Sequence, residues 1–81
     1  MESEYLVFDK YIGQGGKLPI YEVKNKATLD SLGVIYFYSG LSKYVFESTP
    51  QIVYDADYLI DIAKFLQEVQ NEREEGLKND E

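Results

Sequence analysis

The sequence predicts an α+β fold. A three-stranded antiparallel meander, with the N-terminal run as a candidate fourth strand, is covered on one face by a single C-terminal amphipathic helix. Two observations carry this. Six of the twelve aromatic residues fall between Tyr36 and Tyr54, five of them in two β-prone runs joined by a short turn. Directly afterwards, apolar residues begin to recur at helical spacing and continue to Glu72. A sheet with one apolar face and a helix with one apolar stripe bury each other in two layers.

The elements follow in order. Residues 4–8, Glu-Tyr-Leu-Val-Phe, are a short β-prone run. Residues 9–18 hold Gly13, Gly15 and Gly16 and read as a loop. Pro19 suits the first position of a strand. Behind it, alternation puts Tyr21 and Val23 on one face and Ile20, Glu22 and Lys24 on the other. Residues 25–30 read as a turn.

Residues 32–38 and 43–47 are the strongest strands, separated by Ser39-Gly40-Leu41-Ser42. A four-residue turn sets the register: Tyr38 opposite Lys43, Phe37 opposite Tyr44, Tyr36 opposite Val45 and Ile35 opposite Phe46. One face then carries Ile35, Phe37, Tyr44 and Phe46, the better core. The other carries Val34, Tyr36, Tyr38, Lys43, Val45 and Glu47. A slip of one residue would mix the two faces.

After a linker containing Pro50, Asp55 is a good helix N-cap and Asp57 lies in the first turn, where the helix dipole favours negative charge. Leu59, Ile62, Ala63, Leu66 and Val69 share the expected core side, flanked by Tyr58 and Phe65. Asp57, Asp61, Lys64, Glu68, Asn71, Glu72 and Glu75 mark the expected solvent side. Gly76 is placed just past the helix end. The reading is therefore one small domain over residues 1–75 and a frayed polar tail over 76–81.

Composition limits the chemistry. The 81 residues include no cysteine and no histidine, which removes disulfides, thiolate sites, the usual zinc ligands and the usual neutral-pH base. So short a chain buries only roughly 60% of its unfolded surface, so stability rests on aromatic burial or on association, a homodimer included. The net charge of −7 opposes nucleic-acid and anionic-membrane binding and favours a basic partner or simple solubility. No apolar run approaches the ~20 residues of a membrane span. The acidic start, Met1-Glu2-Ser3-Glu4, is unlike a signal peptide, and a cytoplasmic location is expected.

Few motifs suggest chemistry. Gly13-Gln14-Gly15-Gly16-Lys17 lacks the spacing of a phosphate loop, and Leu18 and Pro19 follow where Ser or Thr and a helix belong. Asp57 and Asp61 are i, i+4 neighbours that repel one another. No base, nucleophile and orienting group come together, so no catalytic residue, metal or cofactor is assigned. Tyr36 and Tyr38 would form a patch if nothing covers their side. Single-strand nucleic-acid modules use sheet aromatics in this way, but only Lys24 and Lys43 stand near to hold phosphates.

From Leu32 onward the chain resembles a group of small uncharacterised bacteriophage and prophage proteins. Their pattern is roughly Leu-Gly-x-Ile-x-Trp-Tyr, Trp-Arg-x-Tyr-x-Phe, a proline, Val-Phe, and Leu-x-Asp-Ile-x-x-Phe. Here it reads Leu32-Gly33-Val34-Ile35-Tyr36-Phe37-Tyr38, Leu41-Ser42-Lys43-Tyr44-Val45-Phe46, Pro50, Val53-Tyr54, and Leu59-Ile60-Asp61-Ile62-Ala63-Lys64-Phe65. Phe37 stands where the group often has Trp, and Leu41-Ser42 replaces its Trp-Arg. The resemblance implies a phage-type origin, hence the host cytoplasm, and no particular activity. Small acidic phage proteins commonly bind and inhibit a host protein. The leading expectation is a non-enzymatic interaction protein that meets a host protein through Asp57, Asp61, Glu68 and Glu72 or through Tyr36 and Tyr38. The alternatives are a single-stranded nucleic-acid accessory module and a small-molecule (nucleotide) sponge with a pocket between protomers.

Overall fold

A computed structural model describes residues 2–12 and 18–79. Four strands and one helix follow in order: β1 (Leu6–Tyr11), β2 (Ile20–Asn25), β3 (Ser31–Tyr38), β4 (Lys43–Ser48) and α1 (Ala56–Asn79). The strands form one antiparallel sheet in the order β1-β2-β3-β4. The fold is α+β, and the fourth strand is present.

The β3–β4 register is the one the turn length implies. Tyr38, Phe37, Tyr36 and Ile35 stand opposite Lys43, Tyr44, Val45 and Phe46. Ser42, at φ 53°, closes the turn, with Leu41 N–H donating to the Tyr38 carbonyl. The β2–β3 turn is held by the Asn25 side chain, whose oxygen accepts from the backbone N–H of Ala27 and of Thr28.

The core lies between the sheet and α1. Leu6, Phe8, Tyr21, Val23, Leu32, Ile35 and Tyr44 come from the strands, and Ile62, Phe65 and Val69 from the helix. Phe37 and Phe46 pack against it, half-buried. Tyr54, between β4 and the helix, donates its hydroxyl to the Leu32 carbonyl at 2.7 Å and meets the Phe46 ring edge-on. Asp55 caps the helix, its Oδ1 accepting from Tyr58 N–H at 3.0 Å.

Three expectations need correction. Asp9, Lys10 and Tyr11 belong to β1 rather than to a loop, pairing with Glu22, Tyr21 and Ile20. An edge strand tolerates such polar residues because one of its sides stays solvated, and Asp9 forms an ion pair with Lys24 on β2 at 2.9 Å. The helix runs through Gly76 to Asn79, so Gly76 is interior rather than a terminator. Good helix formers on both sides carry the turn across it. Leu59 and Ala63 are exposed rather than core. The buried positions Ile62, Phe65 and Val69 put the contact line to one side of both. The glycine-rich residues 13–17 and the tail residues 80–81 lie outside the described residues.

Candidate functional site

Two surfaces contain the residues singled out from the sequence, and the sheet separates them. Asp57, Asp61, Glu68 and Glu72 share the flank of α1 that overlooks β1. At 100° per residue these four positions fall within one narrow sector beside Phe65. Tyr36 and Tyr38 lie on the opposite face of the sheet, so the two groups cannot form one interface.

The acidic flank stands over a shallow trough. One depression of about 190 Å³ is lined by Phe8, Lys10, Tyr21, Phe65, Glu68 and Glu72, among others. A second, about 170 Å³, shares Phe8, Phe65 and Glu68 and adds Asp61 and Lys64. The two form one groove along β1 with an aromatic floor. In that floor Phe8 is stacked on Phe65, and Tyr21 meets Phe65 edge-on at 5.0 Å.

The carboxylates make themselves felt electrostatically. The Tyr5 phenol, edge-on to Tyr58, is held above its ordinary pKa by Glu4 first and then by Asp57, with burial, Asp55 and Asp61 adding to the effect. Tyr21 is raised chiefly by burial and further by Glu72. Asp61 Oδ2 is closed off from solvent and has no hydrogen-bond partner among the described residues.

The outer face of the sheet is organised differently. On β1 and β2 it is mixed, with Val7 and the exposed Ile20 beside Asp9, Tyr11, Glu22 and Lys24. Lys24 contacts Asp9 and, at 3.5 Å, Glu22, and Tyr11 donates its hydroxyl to Glu22. Lys24 is raised mainly by its hydrogen bond to Asp9. On β3 and β4 the face carries Val34, Tyr36, Tyr38 and Val45, and no described element covers it. Tyr36 donates its hydroxyl to Glu47 at 2.9 Å, a diagonal cross-strand pair. The ring of Tyr38 lies against Gly40, where an added Cβ would come within 2.7 Å of it. Lys24 is thus already neutralised, which weakens the nucleic-acid reading.

Sequence reasoning located the acidic residues but missed the floor and Lys10. Alternation from Leu6 would have put Phe8 and Lys10 on the helix side, had the strand been extended past residue 8. Among the described residues no group of His, Cys, Asp and Glu is placed to hold a metal ion. No described helix is long and apolar enough to cross a membrane. No family model, curated protein or solved structure matches this chain.

Proposed function

We propose that this protein is a non-catalytic binding module that takes a basic segment of a host protein into the trough between β1 and α1, and thereby modulates that protein. The observation that carries the reading is the row Asp61, Glu68 and Glu72 lining the trough beside the stacked rings of Phe8 and Phe65, with Asp57 a turn before Asp61 on the same flank. A Lys or Arg side chain needs both parts. Its aliphatic stem lies on apolar surface while its charged head stays among carboxylates in water. The net charge of −7 steers such a partner toward the protein. The phage-type resemblance agrees with a host target and with a phage-type origin for the chain.

The test compares two variants in capture from a bacterial lysate followed by mass spectrometry. Charge reversal at Asp57, Asp61 and Glu68 should abolish capture of a partner that Tyr36→Ser/Tyr38→Ser retains. Affinity for the purified partner should fall as salt rises, since exposed charges are screened over a Debye length of ~10 Å at 0.1 M. A partner that survives charge reversal, ignores salt and is lost with the two tyrosines would overturn the trough in favour of the outer sheet face.

A further inference from the structure

The two edges of the sheet are unequal. At β1 the chain folds back on itself: Ser3 N–H donates to the Leu6 carbonyl, Ser3 Oγ accepts from Leu6 N–H, and Glu2 bridges to Val7. That edge is capped along its first half. At β4 nothing comparable exists among the described residues. Tyr44 N–H points away from β3 and is taken by the Gln70 side chain at 2.9 Å. Antiparallel pairing alternates, so Phe46 also turns its N–H and C=O outward, and no hydrogen bond among the described residues reaches them.

From this edge we infer that the protein pairs with a second copy of itself, β4 against β4, into a continuous eight-stranded sheet. The strand is self-complementary about Val45. A two-fold axis there sets Tyr44 opposite Phe46 of the second copy, which joins the two residues with outward backbone groups, as antiparallel hydrogen bonding demands. The same register sets Lys43 opposite Glu47 of the second copy, and Glu47 opposite its Lys43. Both side chains are exposed and lie on the outer face. Directly opposed strand residues approach to roughly 5 Å, so each pairing forms two opposite-charge contacts. A slip of two residues either way loses both, placing Lys43 against Thr49 or Val45.

The helix supports the same partner. Its β4-side flank carries Leu59, Ala63, Leu66, Gln67 and Gln70 with a single carboxylate, Glu74, whereas the β1-side flank holds the acidic row. Leu59 is 50% exposed, although helical periodicity assigns it to a core. Beside it an open depression of about 400 Å³ is lined by Lys43, Tyr44, Ala63, Leu66, Gln67, Gln70 and, at its far end, Glu74. Pairing through β4 brings together two flanks on which Glu74 is the one carboxylate beside Lys43, and sends both acidic rows to the far sides. That is the arrangement two chains of net charge −7 require. Gln70 must release Tyr44 N–H, and it keeps its own contact, Nε2 donating to Glu74 at 3.2 Å. The inference is independent of the trough, which lies on the opposite flank.

Sedimentation from ~1 μM to ~1 mM tests it, over the range in which weak edge pairing would register. The chain should dimerise. Lys43→Glu or Glu47→Lys alone should weaken association about tenfold or more, because two attractive contacts become two repulsive ones. The exchanged double variant K43E/E47K should restore it. In the dimer, hydrogen exchange at the Phe46 amide should slow with rising protein concentration, with circular dichroism confirming that each variant stays folded. A monomer throughout the range, a dimer indifferent to the single charge changes, or a double variant that fails to recover would overturn the proposal.

Discussion

The ring of Phe8 lies flat on that of Phe65, with centroids 4.0 Å apart and planes within 5° of parallel. This contact joins the edge strand to the middle of the helix. It also forms the floor of the trough, so one pair of side chains serves the core and the candidate site together. Tyr21 braces the pair edge-on from β2.

Removing the helical half of that pair should be severe. Phe65→Ala is expected to cost ~3–5 kcal/mol, the usual range for a buried aromatic truncation. A domain of this length holds roughly 4–12 kcal/mol in all. Urea denaturation should therefore show a variant near the edge of folding. Phe65→Leu, which keeps most of the volume, should lose far less. Equal losses for the two would mean that the position is not packed as described.

Two glycines should respond in opposite directions to the same change. A Cβ at Gly33, which sits at φ 156°, would run into the Glu47 carbonyl oxygen and come within 2.8 Å of the Phe46 ring. Gly33→Ala should destabilise by ~1–3 kcal/mol. Gly76 is helical with open space around it, so Gly76→Ala should stabilise by up to ~1 kcal/mol. Thermal melts of both decide the matter. A destabilising Gly76→Ala would mean that the helix ends earlier than Asn79.

Stability should decline on the alkaline side. Tyr21 and Tyr44 are raised mainly by burial, Tyr36 mainly by its hydrogen bond to Glu47, and Lys24 mainly by its hydrogen bond to Asp9. In each case the folded chain holds the proton more tightly than the unfolded chain. The associated stability is complete below the ordinary values near ~10 and is lost as pH rises through the raised folded values. The urea midpoint should fall above pH ~10. Tyr36→Phe should remove the Tyr36 share. A midpoint level through that range would contradict these assignments.

The sheet was legible where two local rules agreed. Between β3 and β4 the turn length and the alternation of Ile35, Phe37, Tyr44 and Phe46 specify one register, and the structure has it. Tyr21 and Val23 were readable by alternation alone. Residues 9–11 were not, because Asp9 and Lys10 are polar and only the hydrogen bonds to β2 make them strand. Helical periodicity found Ile62, Phe65 and Val69. It could not say where along that stripe the sheet would touch, which is why Leu59 and Ala63 were assigned to the core. The acidic residues of the candidate site were visible in the sequence. The trough was not, because its far wall comes from Phe8 and Lys10, more than fifty residues away in the chain.

The backward hook at Ser3 has a consequence for the size of any assembly. A sheet with two open edges can add neighbours without end, in the manner of a fibre. Here residues 2 and 3 occupy the start of one edge, and Lys10 places a charge farther along it. Among the described residues the β4 edge lacks such a hook, and the proposed two-fold pairing would consume it in both copies at once. Association through β4 would therefore close on itself at two chains, and growth would stop there.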